Sequence, residues 1–170
     1  VWTVRKKWPT EEAYKEGWIR AIGVSNFYPD RLVDLCSFVE VKPAINQVET
    51  HIFQQQTAAH EYMEKYGVQH ESWGPFAEGR KDFFTNPVLN EIGKKHDKSA
   101  AQVALRFLLQ SDVVVIPKST HKERMEENIN VFDFALDASD MNAIRALDEK
   151  ESLFFSHYDP AIAEMMIKLH

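Results

Sequence analysis

The sequence predicts an α/β fold of four β/α units sharing one parallel sheet. Short apolar runs of strand length alternate along the chain with longer segments whose apolar residues recur at helical spacing. Strands that alternate with helices pair in parallel, because each helix carries the chain back across the sheet. The composition is that of a globular domain, since 44% of the 170 residues are hydrophobic and 27% are charged.

The first half of the chain is predicted to contain three strands and three helices. The helices are expected at residues 11–16, 29–39 and 54–66, and the strands at 18–24, 44–48 and 68–72. Gly17 and Gly67 mark helix ends, where glycine accepts the left-handed conformation that closes a helix. Pro29 marks a helix start, because proline has no amide hydrogen to lose there.

The second half is predicted to add a loop, four helices and one strand. The loop is expected at 74–85, the helices at 86–95, 99–110, 120–128 and 137–147, and the strand at 113–116. Ser99 is predicted to cap its helix, and Asp140 lies near the positive end of another. The run at 113–116 is rich in β-branched residues, which is typical of a strand buried on both faces.

Charge, cysteine content and hydropathy exclude several classes of protein. No apolar run approaches the roughly 20 residues that span a bilayer, and the first residues lack the apolar core of a signal peptide, so we expect a cytoplasmic protein. A net charge of −6 argues against broad nucleic-acid binding. Cys36 is the only cysteine, and a buried reduced thiol is favoured over a reactive one. The seven histidines lack the i, i+4 spacing of a helical zinc site, so no metal is predicted.

The segment 113–128 carries the strongest chemical signal. Lys118, Ser119 and Thr120 follow a strand directly and precede a helix, where free amide groups and the helix dipole favour an anion. Arg124 lies about one and a half turns further on and adds a planar guanidinium. This basic cluster stands in an acidic chain, so it suits a small phosphate-bearing ligand better than a long polyanion.

Three further motifs precede this one along the chain. They are Gly23-Val24-Ser25-Asn26-Phe27, Asn46-Gln47-Val48-Glu49 and Glu71-Ser72-Trp73-Gly74-Pro75. Together with the segment 113–128, in this order and spacing, the chain resembles the aldo-keto reductases. The resemblance covers roughly residues 11–170. It implies the C-terminal half of a (β/α)8 TIM barrel with a C-terminal helical tail, and an oxidoreductase that reduces aldehydes or ketones with NADP(H).

The resemblance implies that one group of residues binds the nicotinamide. Ser25, Asn26 and Gln47 match the residues that hydrogen-bond its carboxamide, which needs both donors and an acceptor. Trp73 matches the aromatic residue that stacks on the ring. The alternatives are that Ser25 and Asn26 cap the next helix, that Gln47 satisfies a buried backbone group, and that Trp73 is a core residue near other aromatics.

A second implied group binds the adenosine end of the cofactor. Lys118, Ser119 and Arg124, with Thr120 beside them, match the residues that hold the 2′-phosphate, which implies a preference for NADP(H) over NAD(H). Glu127 and Asn128 match residues that contact the adenine amino group. The alternative is that these charged side chains lie on a solvent-exposed helix face and bind no ligand. The chain has no Gly-x-Gly-x-x-Gly motif, so a Rossmann-type site has no support.

The catalytic groups of the family have no counterpart in this sequence. Its Asp, Tyr, Lys and His belong to the first half of the barrel, so no residue is predicted to be catalytic. A complete barrel also needs roughly 250 residues. We therefore expect residues 1–170 to form a single partial domain, with an irregular opening at 1–10 and, at 151–170, the tail that in the family folds over the mouth.

Three hypotheses follow for what the chain does. It is the visible part of a complete reductase with a small carbonyl substrate, or a half-barrel that binds NADP(H) without turnover, or a structural module that associates with itself. Four strands leave two unpaired edges and, we expect, one apolar sheet face, which would favour self-association. The first hypothesis is preferred on the motifs, with no nucleic acid or membrane as partner.

Overall fold

A single parallel sheet with helices packed on it forms the centre of the molecule. The computed structural model describes residues 9–156 and 158–168. The strands are β1 Gly23–Ser25, β2 Ile45–Glu49, β3 Gln69–Trp73 and β4 Val114–Val115. They are hydrogen-bonded in the order β1-β2-β3-β4, each parallel to its neighbour. This arrangement confirms the predicted α/β fold with four parallel strands.

Helices separate the strands and extend beyond the last one. Those in the described ranges are α1 Pro9–Lys15, α2 Pro29–Phe38, α3 Thr57–Tyr66, α4 Pro87–His96, α5 Ala100–Gln110, α6 Lys122–Ile129, α7 Ala138–Arg145 and α8 Pro160–Ile167. Two short 3₁₀ turns, Ala77–Gly79 and Phe83–Thr85, lie in the predicted loop after β3. No helix within these ranges has the length and apolarity that a bilayer crossing requires.

The helix ends follow the local signals in the sequence. Ser99 caps α5 through a capping box with Gln102, and Asp137 caps α7 in the same way with Asp140. Gly67 ends α3 at a φ of 70°, in the left-handed region that glycine reaches without strain. The irregular opening predicted for 1–10 is wrong at its end, because α1 begins at Pro9; residues 1–8 lie outside the described part of the chain.

The two outer strands are shorter than predicted. β1 covers residues 23–25 and so overlaps only the last two residues of the predicted 18–24, because its partner β2 begins after Pro43, which has no amide hydrogen to donate. β4 is reduced to two residues, and its expected burial on both faces is wrong. Val114 is 39% exposed and Ile116 is 51% exposed, since β4 is an edge strand among the described residues.

The core divides into two clusters on the helix side of the sheet. The larger one joins α4, α5 and α7 to the start of β4, with Leu89, Val103 and Ile144 fully buried. The smaller one packs α2 and α3 against β2 through Leu32, Met63 and neighbours that include Cys36 and Val48. Burial raises the pKa of the Cys36 thiol, as is typical of a structural cysteine, and Lys42 opposes this only in part.

The opposite face of the sheet is mostly polar, so the expected apolar sheet face is wrong. Along β2 as far as Val48, and along β3, the buried residues alternate with half-buried ones, and the half-buried set includes Gln47, Gln69 and Glu71. Exposed large apolar side chains occur at several places in the described part of the chain. They include Trp18 before β1, Phe84 in the loop after β3, Val114 and Ile116 at β4, and Ile129 and Phe132 after β4.

His70 is a buried polar residue within the central strand β3, at 1% exposure. Its Nε2 lies 2.7 Å from Thr50 Oγ1, and its Nδ1 lies 3.0 Å from His60 Nδ1. Thr50 Oγ1 donates to the carbonyl of Val48, so it accepts from Nε2–H, and His60 donates to Nδ1. Burial, with a smaller contribution from His60, lowers the pKa of His70 to about 3.

His70 should make the fold sensitive to mild acid. The unfolded chain takes up a proton near pH 6.5 whereas the folded one resists it down to about pH 3, so stability should fall as the pH drops through this window. Between pH 6.5 and 5 the loss should be about 1.6 kcal/mol, because the slope rises from half of about 1.4 kcal/mol per pH unit to nearly its full value as the unfolded histidine becomes protonated. Urea denaturation at several pH values measures this.

The variant His70→Val should remove most of this acid dependence. His121→Gln changes an exposed histidine and is the matched control, which should keep the dependence of the parent protein. An equal loss of stability in His70→Val and the parent would show that another group controls the acid response.

Candidate functional site

The predicted site residues fall into two groups at the carboxyl ends of the strands. Because the strands are parallel, Ser25, Gln47 and Glu71 share one line of the register across β1, β2 and β3. Trp73 ends β3 two residues after Glu71, and the segment from Lys118 follows β4. In parallel α/β folds, loops at this end of the strands carry the working residues.

The loop after β1 is fixed to β2 by its backbone. Asn26 has a φ of 58°, a left-handed conformation that asparagine tolerates better than most residues. Its amide donates to the carbonyl of Gln47 at 2.8 Å, and Ser25 Oγ donates to the same oxygen at 3.1 Å. The N-cap of α2 is Tyr28 and has no side-chain cap, so Ser25 and Asn26 do not cap this helix.

Asn46 supports this loop, a role that sequence reasoning missed. It is fully buried on β2, where its Nδ2 donates to the Phe27 carbonyl at 2.6 Å and its Oδ1 accepts from the Phe27 amide at 3.3 Å. The signal was an asparagine inside an apolar strand, where a buried amide needs specific partners. The Asn46 side chain therefore fixes the position of the loop that carries Ser25 and Asn26 relative to β2.

Gln47 and Glu71 face each other on the open side of the sheet. The side-chain amide of Gln47 donates to the Glu71 carboxylate, so Gln47 does not serve a backbone group. Because this bond fixes the amide nitrogen of Gln47, it also fixes the orientation of the side-chain oxygen of Gln47. The sequence assigned Glu71 no role of its own, and the contact with Gln47 follows from the strand register, which makes the two residues direct partners.

Trp73 is held by polar and aromatic contacts rather than in the core. Its indole Nε1 donates to Asn26 Oδ1 at 2.8 Å, which links β3 to the loop after β1. The Phe154 ring lies 5.1 Å from the indole, tilted by 60°. Trp73 is half-buried and belongs to neither core cluster, whereas the nearby Phe76 and Phe83 pack with each other.

The second group lines one cavity of about 460 Å³. It is bounded by the loop after β3, by the start of α5 and by the segment from Lys118 to Asn128. All six adenosine-end residues of the prediction line it, namely Lys118, Ser119, Thr120, Arg124, Glu127 and Asn128. Phe76, Phe84, Asn90, Ser99 and His121 also line the cavity and were not assigned to a site from the sequence.

The cavity presents cations and an open helix end. α6 begins at Lys122, two residues later than predicted, so Lys118 to Thr120 lie in the loop before it. Its N-cap His121 makes no side-chain cap, which leaves amide hydrogens of the first turn available. Among the residues that the structure describes, Lys118 and Arg124 make no ion pair with a carboxylate. These features together suit a phosphate.

Glu127 is tied to the start of α5. Its carboxylate accepts from Ser99 Oγ, and its backbone carbonyl accepts from Gln102 Nε2 at 3.1 Å. Ser99 thus caps α5 and also orients a carboxylate in the cavity wall. A fixed carboxylate beside Asn128 can receive an exocyclic amino group, which is what the resemblance implies for adenine.

A buried carboxylate closes the end of β2. Glu49 is fully buried; its Oε1 accepts from His51 Nε2 at 3.0 Å and from the Leu153 amide at 2.9 Å. Its Oε2 accepts from Ser152 Oγ. Burial by itself would raise the pKa of Glu49, but the hydrogen bonds from His51, Ser152 and Leu153 outweigh it and lower the pKa. The described residues contain no cluster of three or more side chains suited to a metal.

The comparison with protein families gives a clear match. The model of the Aldo/keto reductase family matches residues 10–149, which is most of the chain. The matched range includes both groups of site residues and ends before the C-terminal tail at 151–170. It also contains all four strands of the sheet.

Curated relatives agree with this match. The uncharacterized oxidoreductase YtbE of Bacillus subtilis is 44% identical, over 84% of this chain and 54% of that protein. The glyoxal reductase of the same organism is 46% identical, over 83% and 50%. The methylglyoxal reductase DkgA of Escherichia coli is 40% identical, over 84% and 52%. The chain spans about half the length of the curated relatives it matches.

Solved structures show the same similarity. An aldo-keto reductase from a Medee basin deep-sea metagenome library superposes with a TM-score of 0.85 at 40% identity, over 88% of this chain and 56% of that one. A silkworm aldo-keto reductase complexed with NADPH gives a TM-score of 0.79 at 32% identity, over 84% and 46%. The similarity thus extends to a structure that holds the cofactor.

The loop after β1 should depend on Asn46. Asn46→Ala leaves the amide and carbonyl of Phe27 without their partner, which should lower the free energy of unfolding by about 2 to 4 kcal/mol. Chemical denaturation measures the change. Asn142→Ala removes an exposed side-chain amide that accepts from Arg145 and should cost less than about 0.5 kcal/mol. Equal costs for the two variants would contradict a special role of Asn46.

Proposed function

The chain belongs to the aldo-keto reductase family, and on this premise we propose that it supplies the cofactor-binding half of an NADP(H)-dependent reductase of aldehydes and ketones. The observation that carries the proposal is the cavity lined by Lys118, Ser119 and Arg124 at the open end of α6. A doubly charged phosphate needs cations and oriented donors together, and this cavity offers both.

The adenosine 2′-phosphate is the group that fits this end of the site. The guanidinium of Arg124 can engage two phosphate oxygens at once, while Lys118 adds a point charge and Ser119 a hydroxyl. Glu127, fixed by Ser99, and Asn128 lie on the same cavity and supply an acceptor for the adenine amino group. This assignment favours NADP(H) over NAD(H), since only the former carries the phosphate.

The nicotinamide is proposed to lie at the other group of residues. Ser25, Asn26 and Gln47 would hold its carboxamide, since they provide a hydroxyl and two side-chain amides. Trp73 would offer its indole face to the ring, and its bond to Asn26 keeps the indole from turning. Bound NADPH supplies the hydride that reduces a carbonyl carbon. The residues of this chain would bind the nicotinamide and orient it.

No residue of this chain is proposed for proton transfer to the carbonyl oxygen. The family resemblance assigns that step to groups in the first half of a (β/α)8 barrel, and we propose that this chain corresponds to the second half. The four parallel strands and the coverage of about half of each relative support this reading. The exposed apolar side chains near both edge strands are consistent with surfaces that the other half would cover.

Small reactive aldehydes are the substrates to test first. Two of the relatives are named as glyoxal and methylglyoxal reductases, so these dicarbonyl compounds are suitable probes. The intact mass of the purified protein should be measured with NADPH oxidation. Turnover by a protein well above 19.7 kDa would support the complete reductase, whereas a 19.7 kDa protein that binds NADP(H) without turnover would support the cofactor-binding half-barrel.

Self-association is the second candidate function. It is favoured by Ile129 at 71% exposure and Phe132 at 69%, which lie close together in sequence beyond the edge strand β4. Light scattering after size-exclusion chromatography should show a dimer or larger species if this surface pairs with a second copy. The double variant Ile129→Lys, Phe132→Lys should then return the protein to a monomer.

Arg124→Ala should separate the two nicotinamide cofactors. Loss of a hydrogen-bonded charge facing the 2′-phosphate should weaken NADPH binding roughly 10- to 100-fold and leave NADH binding nearly unchanged. Isothermal titration calorimetry with both cofactors measures the two dissociation constants. Lys122→Ala is the matched control, because Lys122 is an exposed cation on the same helix that does not line the cavity. An equal loss for NADPH and NADH would refute the phosphate assignment.

A further inference from the structure

The segment that leaves α7 returns across the carboxyl end of the sheet. It is first attached near β2: Asp148 Oδ1 accepts from the Gln55 amide at 3.0 Å, and the Glu149 amide donates to the Phe53 carbonyl at 2.9 Å. Lys81 also forms an ion pair with Glu149. The chain therefore reaches residue 150 in a fixed position, and residues 152–155 lie over the strand ends.

Glu49 holds the next part of this segment from below. Its two carboxylate oxygens accept hydrogen bonds from Ser152 Oγ and from the Leu153 amide, and a third hydrogen bond comes from His51. His51 Nδ1 accepts from the amides of Phe53 and Gln54, so Nε2 carries the hydrogen that points to Glu49. The carboxylate is thus fully buried with three donors, a fixed anchor rather than a surface contact.

Ser152 links Glu49 to the backbone of the residues that follow it and so fixes their conformation. Its hydroxyl donates to Glu49 and accepts from the amides of Phe154 at 3.1 Å and Phe155 at 3.0 Å. The guanidinium of Arg80 donates to the Leu153 carbonyl and lies 4.2 Å from the centroid of the Phe154 ring. Glu49 from β2 and Arg80 from the loop after β3 therefore hold the turn from two directions.

The turn delivers the Phe154 ring to Trp73. The two ring centroids are 5.1 Å apart, in the tilted geometry that aromatic pairs favour. Glu49 and Trp73 are direct partners in the β2–β3 register, so the anchor and the indole start from neighbouring positions. The indole is thereby fixed at its nitrogen by Asn26 and on its ring by Phe154.

We propose that Glu49 is the anchor of residues 152–155 and that this anchor makes Phe154 a positioning residue for the Trp73 indole. The part that concerns the cofactor rests on the function proposed above. If Trp73 contacts the nicotinamide, docking of the segment and binding of the cofactor are coupled, and each must stabilise the other by the same free energy. The segment then controls how firmly the cofactor is held.

The anchor is tested first without cofactor, by hydrogen exchange followed with mass spectrometry. Ser152→Ala removes the hydroxyl that joins Glu49 to the turn, so the amides of residues 153–155 should exchange roughly tenfold faster. Ser152→Thr keeps a hydroxyl and should restore most of the protection. Ser156→Ala, at an exposed serine of the same segment, is the matched control and should leave these amides unchanged.

Glu49→Gln tests the charge of the anchor in the same assay. It should release the same amides as Ser152→Ala, and the double variant should release them little further because the two side chains act through one contact. Since a buried substitution can unfold the protein, the comparison of Ser152→Ala with Ser152→Thr decides the outcome by itself. Unchanged exchange in Ser152→Ala would overturn the anchor.

The positioning of Trp73 is read from its own fluorescence. The emission of Trp73 is obtained as the difference between each protein and the same protein with Trp73→Phe, because three other tryptophans contribute. Phe154→Ala and Ser152→Ala should both shift this difference spectrum to longer wavelength, whereas Ser156→Ala should not. A spectrum unaffected by Phe154→Ala would overturn the positioning role.

Cofactor binding separates this inference from the proposed function. NADPH should slow exchange of residues 153–155 in the parent protein and should bind about tenfold more weakly to Phe154→Ala. A protein that binds no NADPH, yet shows the exchange and fluorescence changes above, would refute the proposed function and leave the anchor standing. Tight binding that is indifferent to Phe154→Ala would refute the coupling instead.

Discussion

The parallel register of four short strands is the constraint on which the other features depend. It aligns Ser25, Gln47 and Glu71 in one line and places Glu49 beside Trp73. Because parallel strands end at the same side of the sheet, side chains far apart in the chain become neighbours there. The helices behind the sheet hold this register by burying the alternate residues of β2 and β3.

At the carboxyl ends of the strands, the loops are stabilised by polar side chains with specific partners. Asn46 binds the loop after β1, Asn26 accepts from Trp73, and Glu49 receives the segment that returns after α7. Each bond joins parts of the chain that are distant in sequence. Such buried polar networks are costly when incomplete, so they favour one arrangement of the loops over its alternatives. The proposed cofactor site is built on this fixed frame.

The two ends of the proposed site differ in physical character. The adenosine end depends on net positive charge and an uncapped helix, which attract a phosphate over several ångströms and tolerate mobile side chains. The nicotinamide end depends on short contacts among Asn26, Trp73 and Phe154, which fix an orientation. Affinity for the cofactor would come mainly from the first end and orientation of the ring from the second.

The sequence by itself determined the fold class, the order of the elements and the position of the basic cluster after the last strand, because these depend on periodicity, capping residues and charges close together along the chain. Ser99 and Gly67 could be assigned to helix ends from their neighbours alone. Only the tertiary structure decided that β4 is exposed, that the sheet's open face is polar and that Glu49 anchors Ser152, since side chains 103 positions apart leave no local signal. Contacts between residues distant in sequence depend on how the elements pack, and no short segment of sequence contains that information.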